Sequence, residues 1–427
     1  MKKVVMLLLV IMTMVFPVFA AEGDTAADAS KPAEPGSVQE GTTAKQEDKN
    51  FKLEFNIRNR LESWNNKDFD SSKDDAYSLV RQRYSMMATY KAGEVPFFGE
   101  LRFVRTDLSP FTSLELQQLY MDVGKDLRMR LGRQMMSFGD GRVISNRPWG
   151  DTQIVFDGVR LTAKEKYFTA DMLALNRFQY HKPGVGQERL YGMYAAWKKD
   201  QTEIDGYFLT KEIDQGAYDD GLKQIRVTGL RFKQESGNWT YGFEGMRQFG
   251  CDSDKQRDAY ALVTYGSYTF NKHPWKPSLG FNYDYFSGDS NPDDNVIHTY
   301  DDFYQKNHSF LGHMDLIGCK NVRDLGFVTT SQPNKFWKTY MAYHIFNLDK
   351  ARDAWYGTNG KPFLQDPTGR SGTDMGTEFD FNVRYTKKIW DINVGYSRFW
   401  PGAFVKNIYG GKADPADFFY LQIENKF

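Results

Sequence analysis

The chain is poor in cysteine, with two residues, Cys251 and Cys319, among 427. One disulfide is the most they can form. Histidine is nearly as scarce, with six, at 181, 273, 298, 308, 313 and 344. None has a serine and an acidic partner in register, which argues against the alternative of a barrel enzyme such as a lipid hydrolase or protease. Net charge is missing too, with 55 basic residues against 55 acidic, so no global attraction to nucleic acid is implied. Past residue 50 there is no run of ~18 apolar residues, which excludes a helical membrane span. There is no glycine-rich phosphate loop, and no cofactor is implied.

Aromatic residues are abundant, at 16%, yet mean hydropathy is −0.61. The first twenty residues read as a secretory signal peptide. Lys2 and Lys3 precede the apolar core Val4 to Val15, and Ala20 offers a cut site before Ala21. No cysteine stands there, so lipoprotein processing is not expected. Residues 21–50 lack aromatics and are rich in Ala, Gly, Pro, Thr and acids. Such a segment buries too little apolar surface to order itself, and a disordered periplasmic tail is expected.

From Phe51 the pattern changes. In FKLEFNIRNRL, Phe51, Leu53, Phe55 and Ile57 share one face, and Lys52, Glu54, Asn56, Arg58 and Arg60 the other. Period two marks a strand. The same grammar predicts eighteen strands: 51–64, 76–90, 95–106, 113–123, 126–137, 153–163, 166–178, 188–198, 202–212, 222–234, 238–249, 258–270, 277–287, 322–331, 335–347, 374–386, 389–399 and 416–427. Short and long links alternate between them. Long ones include 65–75, 138–152, 250–257, 288–321, 348–373 and 401–415. A soluble sandwich has no cause for that alternation. An outer-membrane barrel has tight turns on one side and longer loops on the other. The expected fold is therefore all-β, an eighteen-stranded antiparallel transmembrane barrel over 51–427, with both termini on the periplasmic side. Aromatics near strand ends (Trp64, Tyr90, Tyr167, Trp197, Trp239, Trp337, Trp390 and Trp400) are expected to form interfacial girdles.

Energy sets the facing. An arginine in mid-bilayer costs about 2–4 kcal/mol, so the charged faces turn to the lumen. The first six strands then place Lys52, Arg58, Arg60, Arg81, Arg83, Arg102, Arg128, Arg130 and Arg160 inside, against Glu54 and Glu100. Arg133 would need a change of register near Gly132 to join them. Later strands bring in Asp171, Asp205, Glu244, Asp284, Asp380 and Asp391, with Arg384 opposing. A lumen basic on one wall and mixed to acidic on the rest favours polar, anionic or saccharide-like solutes, because arginine forks suit carboxylates and phosphates. The links 288–321 and 348–373 are long enough to fold inward.

LRMRLGRQMMSFGDGRVI, Leu127 to Ile144, followed by FDGVRL, Phe156 to Leu161, resembles the alginate-export family of outer-membrane porins. SGDSNPDD, Ser287 to Asp294, and HSFLGHMDL, His308 to Leu316, extend the likeness. The resemblance implies a monomeric eighteen-stranded barrel with an electropositive constriction, lined at Lys52, Arg81, Arg130 and Arg160. It implies an anion-selective channel in the outer membrane of a Gram-negative bacterium, among lipid and lipopolysaccharide, with polysaccharide export as one use. The family's long late periplasmic turn has no counterpart, since Lys387-Lys388 leaves no room for it.

Three smaller expectations complete the reading. The closing strand, ending in Phe427, resembles the signal read by barrel-assembly machinery. Cys251 and Cys319 fall on neighbouring outer loops, where a disulfide is permitted. Asp289, Asp293 and Asp294 form an acidic loop that could hold Ca²⁺, although a solvated loop is the simpler reading. His308, His313 and Asp315 are better suited to hydrogen bonding than to a metal.

Overall fold

The computed structural model describes residues 50–427 except 71, 74, 107–108, 152, 179–186 and 215–221. All but Asn50 of the expected leader and tail lie outside the described residues. Eighteen long strands follow one another. They are β1 (Phe51–Asn65), β2 (Tyr77–Ala92), β3 (Val95–Thr106), β4 (Ser109–Val123), β5 (Leu127–Gln134) and β6 (Val155–Lys164). Next come β7 (Phe168–Phe178), β8 (Glu188–Lys199), β9 (Thr202–Asp214), β10 (Leu222–Ser236), β11 (Trp239–Asp252) and β12 (Lys255–Thr269). The circuit ends with β13 (Ser278–Phe286), β14 (Val322–Asn334), β15 (Trp337–Leu348), β16 (Asp374–Lys387), β17 (Trp390–Pro401) and β18 (Ala416–Lys426).

Each strand pairs antiparallel with its neighbours, and β18 returns to β1, from Asn56↔Lys426 to Asn65↔Asp417. Two further bonds seal the seam: Phe427 N–H donates to Phe55 O at 2.9 Å, and Phe55 N–H to Phe427 O at 3.1 Å. Closure leaves no open sheet edge in the hydrocarbon.

Alternation sorts the two faces. Leu53, Phe55, Leu61, Met172, Phe208, Phe243 and Phe281 point out and stay exposed. Their strand neighbours, such as Arg58, Arg60, Asp171, Asp205 and Glu244, point in and are buried. Tight turns close one end, as at Gly93-Glu94 and Lys388-Ile389, and the long links gather at the other. Trp64 differs from the expected girdle: it faces in and stacks on Phe418 at 4.2 Å. The link expected over 250–257 is mostly strand. β11 and β12 run on to a two-residue turn, Ser253-Asp254, with Cys251 paired to Gln256. The one α-helix among the described residues is short, α1 (Ala403–Ile408), in the last outer link.

Candidate functional site

The lumen is crossed by two outer links, 135–154 and 287–321. Neither shows hydrophobic periodicity; the length of 288–321 allowed for an inward fold, whereas nothing in the sequence marked 138–152 for one. On the first wall, Arg58 and Arg60 on β1 lie opposite Arg83 and Arg81 on β2. Like charges directly across a strand pair repel. Here the turn 148–151 enters among them. Arg58 Nη1 donates to Trp149 O at 3.0 Å and to Pro148 O at 3.3 Å, and its other amino group pairs with Asp151. Arg83 Nη1 donates to Pro148 O and Gly150 O, at 3.2 and 3.3 Å. Arg60 Nη1 donates to Trp149 O at 3.0 Å. Arg81 bridges Asp151 at 2.7 Å and Glu62 at 3.0 Å, and Arg60 also holds Glu62 at 2.7 Å. Arg58, Arg60 and Arg81 thus share two carboxylates. A third, Glu424 on β18, acts on Arg58 and Arg83 and takes a hydrogen bond from Asn56. Burial pushes the Asp151 carboxyl up, but the charges of Arg58, Arg60 and Arg81 outweigh it, and the group lies below its usual range.

The same link reaches the far wall. Asp140 is gripped by Arg231 on β10 at 2.8 Å and accepts from Tyr265 at 3.1 Å. Arg231 also binds Asp205 at 2.8 Å and Glu203 at 3.0 Å. Arg142 forks onto Asp284 of β13 at 2.8 Å. Gly139 permits this approach. Its φ is 50°, and a Cβ there would stand 2.7 Å from the Tyr194 hydroxyl. Burial raises the Asp140 carboxyl, yet its bond to Arg231 prevails and holds it low.

The second link lies against the first. Tyr304 N–H donates to Val143 O at 3.1 Å, and Ser145 N–H to Tyr304 O at 3.0 Å. Its far end is held by inward carboxylates. Glu378 accepts from Met314 N–H at 2.9 Å, and Asp380 from His313 N–H at 3.2 Å. Gly312 sits where a Cβ would be 2.4 Å from Glu378 Oε1. Trp355, in the link 349–373, donates its indole N–H to Leu316 O at 3.0 Å and covers the fold.

Where the two links meet, rings form a column across the lumen. Arg60 lies 3.6 Å over Trp149, Trp149 stacks on His308 at 3.8 Å, His308 on His313 at 4.9 Å, and His313 on Tyr340 of β15 at 5.0 Å. Asp315 steadies His308 at 3.0 Å. Burial pushes the His313 imidazole down to about 4. Beside the column opens a cleft of about 240 Å³, lined by Arg147, Trp149, Lys306, His308, Asp315 and Thr358. Arg147 donates to Gln305 O at 2.9 Å. Burial lowers the Lys306 ammonium, partly offset by Asp140.

The remaining candidates are placed as follows. Lys52 faces in at the periplasmic end, exposed, and pairs with Glu54 at 2.8 Å. Arg102 holds Glu100 at 2.6 Å. Arg130 forks onto Asp122 at 2.8 Å, with Arg128 at 3.7 Å from the same carboxylate. Arg160 bonds Asp171 at 2.7 Å, Tyr207 donates to Glu244 at 2.6 Å, and Arg384 pairs with Asp391. The register through Gly132 is unbroken, so Arg133 faces out and forks onto Asp157 at 2.8 Å.

Two smaller expectations resolve differently. The cysteines are not bridged. Cys251 faces out from β11, whereas Cys319 is buried inside among Gln305 and Asn307, so the barrel wall separates them. The acidic loop carries turn hydrogen bonds. Asp289 accepts from Asn291 and His298 N–H, Asp294 from Val296 N–H, and Asp293 meets Arg352 at 3.4 Å. Among the described residues no group of three or more His, Cys, Asp or Glu could hold a metal.

A family model described as alginate export matches residues 49–416. The fold is similar to solved Pseudomonas aeruginosa structures. OccD3 (OpdP) superposes with a TM-score of 0.60 at 13% identity, over 88% of this chain and 91% of that one. OpdO gives 0.59 at 11% identity, over 88% and 97%. OccK2 (OpdF), solved in complex with glucuronate, gives 0.57 at 12% identity, over 88% and 96%. No curated protein matches the sequence.

Proposed function

The chain belongs to the alginate export family of outer-membrane channels, and from that premise we propose that it passes anionic, saccharide-like solutes by passive diffusion. The observation that carries this reading is the cluster of arginines on the first wall. Arg58, Arg60, Arg81 and Arg83 converge on the turn 148–151, and much of their hydrogen bonding goes to backbone carbonyls. A carbonyl dipole satisfies a guanidinium but carries no net charge to cancel it. Arg147 and Lys306 line the cleft beside the column together with one acid, Asp315. An acidic sugar finds there what it needs, positive charge for its carboxylate and polar edges for its hydroxyls.

The bulk of the barrel's other charges are paired, which keeps the wall polar without a strong field of its own. Arg130 with Asp122, and Arg160 with Asp171, are of this kind. Replacing either arginine exposes its carboxylate and lowers the local charge by one.

The test is reversal potential in planar bilayers under a salt gradient. The parent channel is expected to prefer anions, and Arg81→Gln, Arg130→Gln and Arg160→Gln together to weaken that preference. Glucuronate should block the parent current more than uncharged glucose does. A cation-preferring parent, or equal block by both sugars, would remove the proposal.

A further inference from the structure

The rim formed by the tight turns, which is the periplasmic one, divides into two arcs of different charge. From β2 round to β11 the turns carry both signs: Lys91 with Glu94, Lys125 with Asp126, Lys164 and Lys166 with Glu165, Lys198 and Lys199 with Asp200. Ion pairs close several of them, Lys125 with Glu94 at 3.9 Å, Lys198 with Glu203 at 2.6 Å and Lys233 with Glu235 at 3.1 Å. The next three turns carry lysine and no acid. Lys272 and Lys276 stand between β12 and β13, Lys335 and Lys338 where β14 meets β15, and Lys387 and Lys388 where β16 meets β17. All six are exposed, and among the described residues none forms an ion pair. The periplasmic halves of these six strands add one acid, Asp391, and Arg384 holds it.

These three turns form one surface. Trp275 O accepts from Gln332 N–H at 2.7 Å, which ties the first turn to the second, and Phe336 O accepts from Thr386 N–H at 2.8 Å, which ties the second to the third. Lys335 and Lys387 flank the Phe336 ring at 5.0 and 5.2 Å. Neighbouring strands are ~4.8 Å apart, so successive turns stand about 10 Å from one another. That is close to one screening length in physiological salt, ~8 Å, and the lysines still feel one another's charge. An anion lying across the turns relieves that repulsion.

Aromatic rings fix the depth of the patch. Trp337 and Tyr385 pair on the outward face with centroids 4.8 Å apart, and Trp390 faces out beside Lys387. Trp275, Trp337 and Trp390 are all exposed. Such rings sit at the boundary between hydrocarbon and headgroups. Lysines within three residues of them therefore lie at headgroup depth. Lys338 is set apart, since it alternates into the lumen mouth opposite Arg384. We propose that Lys272, Lys276, Lys335, Lys387 and Lys388 form a docking surface for the phosphates of anionic phospholipid in the periplasmic leaflet. Charge without a counter-acid selects the anion. The exposed rings beside it select an amphiphile over a soluble phosphate, and the tight-turn end selects the leaflet.

Native mass spectrometry of the full-length protein, folded in a mild non-ionic detergent, tests the assignment. The probes are phosphatidylglycerol and phosphatidylcholine with the same acyl chains, offered together. The parent is expected to retain phosphatidylglycerol about fivefold better, the effect of one lysine at a charged headgroup. The variant carrying Lys272→Gln, Lys276→Gln, Lys335→Gln, Lys387→Gln and Lys388→Gln should retain the two alike. A control with Lys125→Gln, Lys164→Gln and Lys166→Gln, on the balanced arc, should keep the parent's preference. Glycerol phosphate, which has the headgroup chemistry without the chains, should not displace the lipid. Heat-modifiable gel mobility reports folding, and should the five-site variant misfold, Lys387→Gln with Lys388→Gln carries the test and should weaken the preference. Equal retention by the parent, an undiminished preference in the lysine variants, an equal loss in the control, or displacement by glycerol phosphate would overturn the site.

Discussion

Acidification should loosen the inward link 287–321, and His313 supplies the reason. Its imidazole is stacked between His308 and Tyr340, and its Nδ1 is buried with no hydrogen-bond partner. Asp380 and His344 face it from the wall, and His308 and Asp315 from its own link. Burial is the largest influence and drives it from the usual 6.5 to about 4. Because the docked value is depressed, the docked link prefers a neutral ring. Its stability is complete above about pH 6.5, falls as pH drops through that window, and is lost below about pH 4. At about 1.4 kcal/mol per unit, the gap is worth about 3 kcal/mol, enough to shift a docked link to an undocked one. Single-channel recording from pH 7.5 to 4 should show new openings or flicker with the steepness of one proton. His313→Phe keeps the ring stack, removes the unpartnered nitrogen and cannot take the proton, so its record should stay flat. If the phenylalanine variant gates as the parent does, the link is not released through His313.

Further outcomes follow from the wall and the seam. Arg231→Met strips the counter-charge from Asp140 and Asp205, and breaking such buried pairs costs about 3–5 kcal/mol; a lower melting temperature and a larger, noisier conductance are expected, and an unchanged channel would show that Arg231 does not hold the link. Cys251 should react with a lipid-soluble maleimide in the native protein, while Cys319, whose thiol burial pushes well up, should react only after unfolding; a mass two hydrogens short without reductant would contradict this. Deleting Phe427 removes both seam bonds to Phe55, so the folded fraction in the outer membrane should fall, with wild-type levels as the contrary result.

The strands were legible because period two has a strong physical cause, and every one of the eighteen lies where alternation placed it. The failures have causes as definite. Gly250, Asp252, Ser253 and Asp254 are turn formers, so composition suggested a long link, yet the pairing continues to Asp252↔Lys255. The rule that turns charge to the lumen holds at mid-bilayer and lapses near the rim, where Arg133 and Arg247 face out beside acids of their own. The inward links carried no period to read. Their one sequence signal was the density of rings and glycines in segments too polar for a wall: Gly139, Gly141 and Trp149 in one, His308, Gly312 and His313 in the other.

That signal explains why the first wall needs so many arginines. Two like-charged cross-strand pairs, Arg58↔Arg83 and Arg60↔Arg81, would drive β1 and β2 apart in an empty lumen. Filling the space with carboxylates alone would quiet the repulsion and also abolish the field. The turn 148–151 settles the conflict by presenting three carbonyls and a single acid, Asp151. Neutral dipoles order the guanidiniums, and their positive charge is only partly cancelled around the turn. Asp151→Asn should therefore leave the turn largely in place through its carbonyl contacts while raising anion preference. A variant that instead loses the turn, seen as a step up in conductance without a change in selectivity, would mean that the acid and not the carbonyls anchors it.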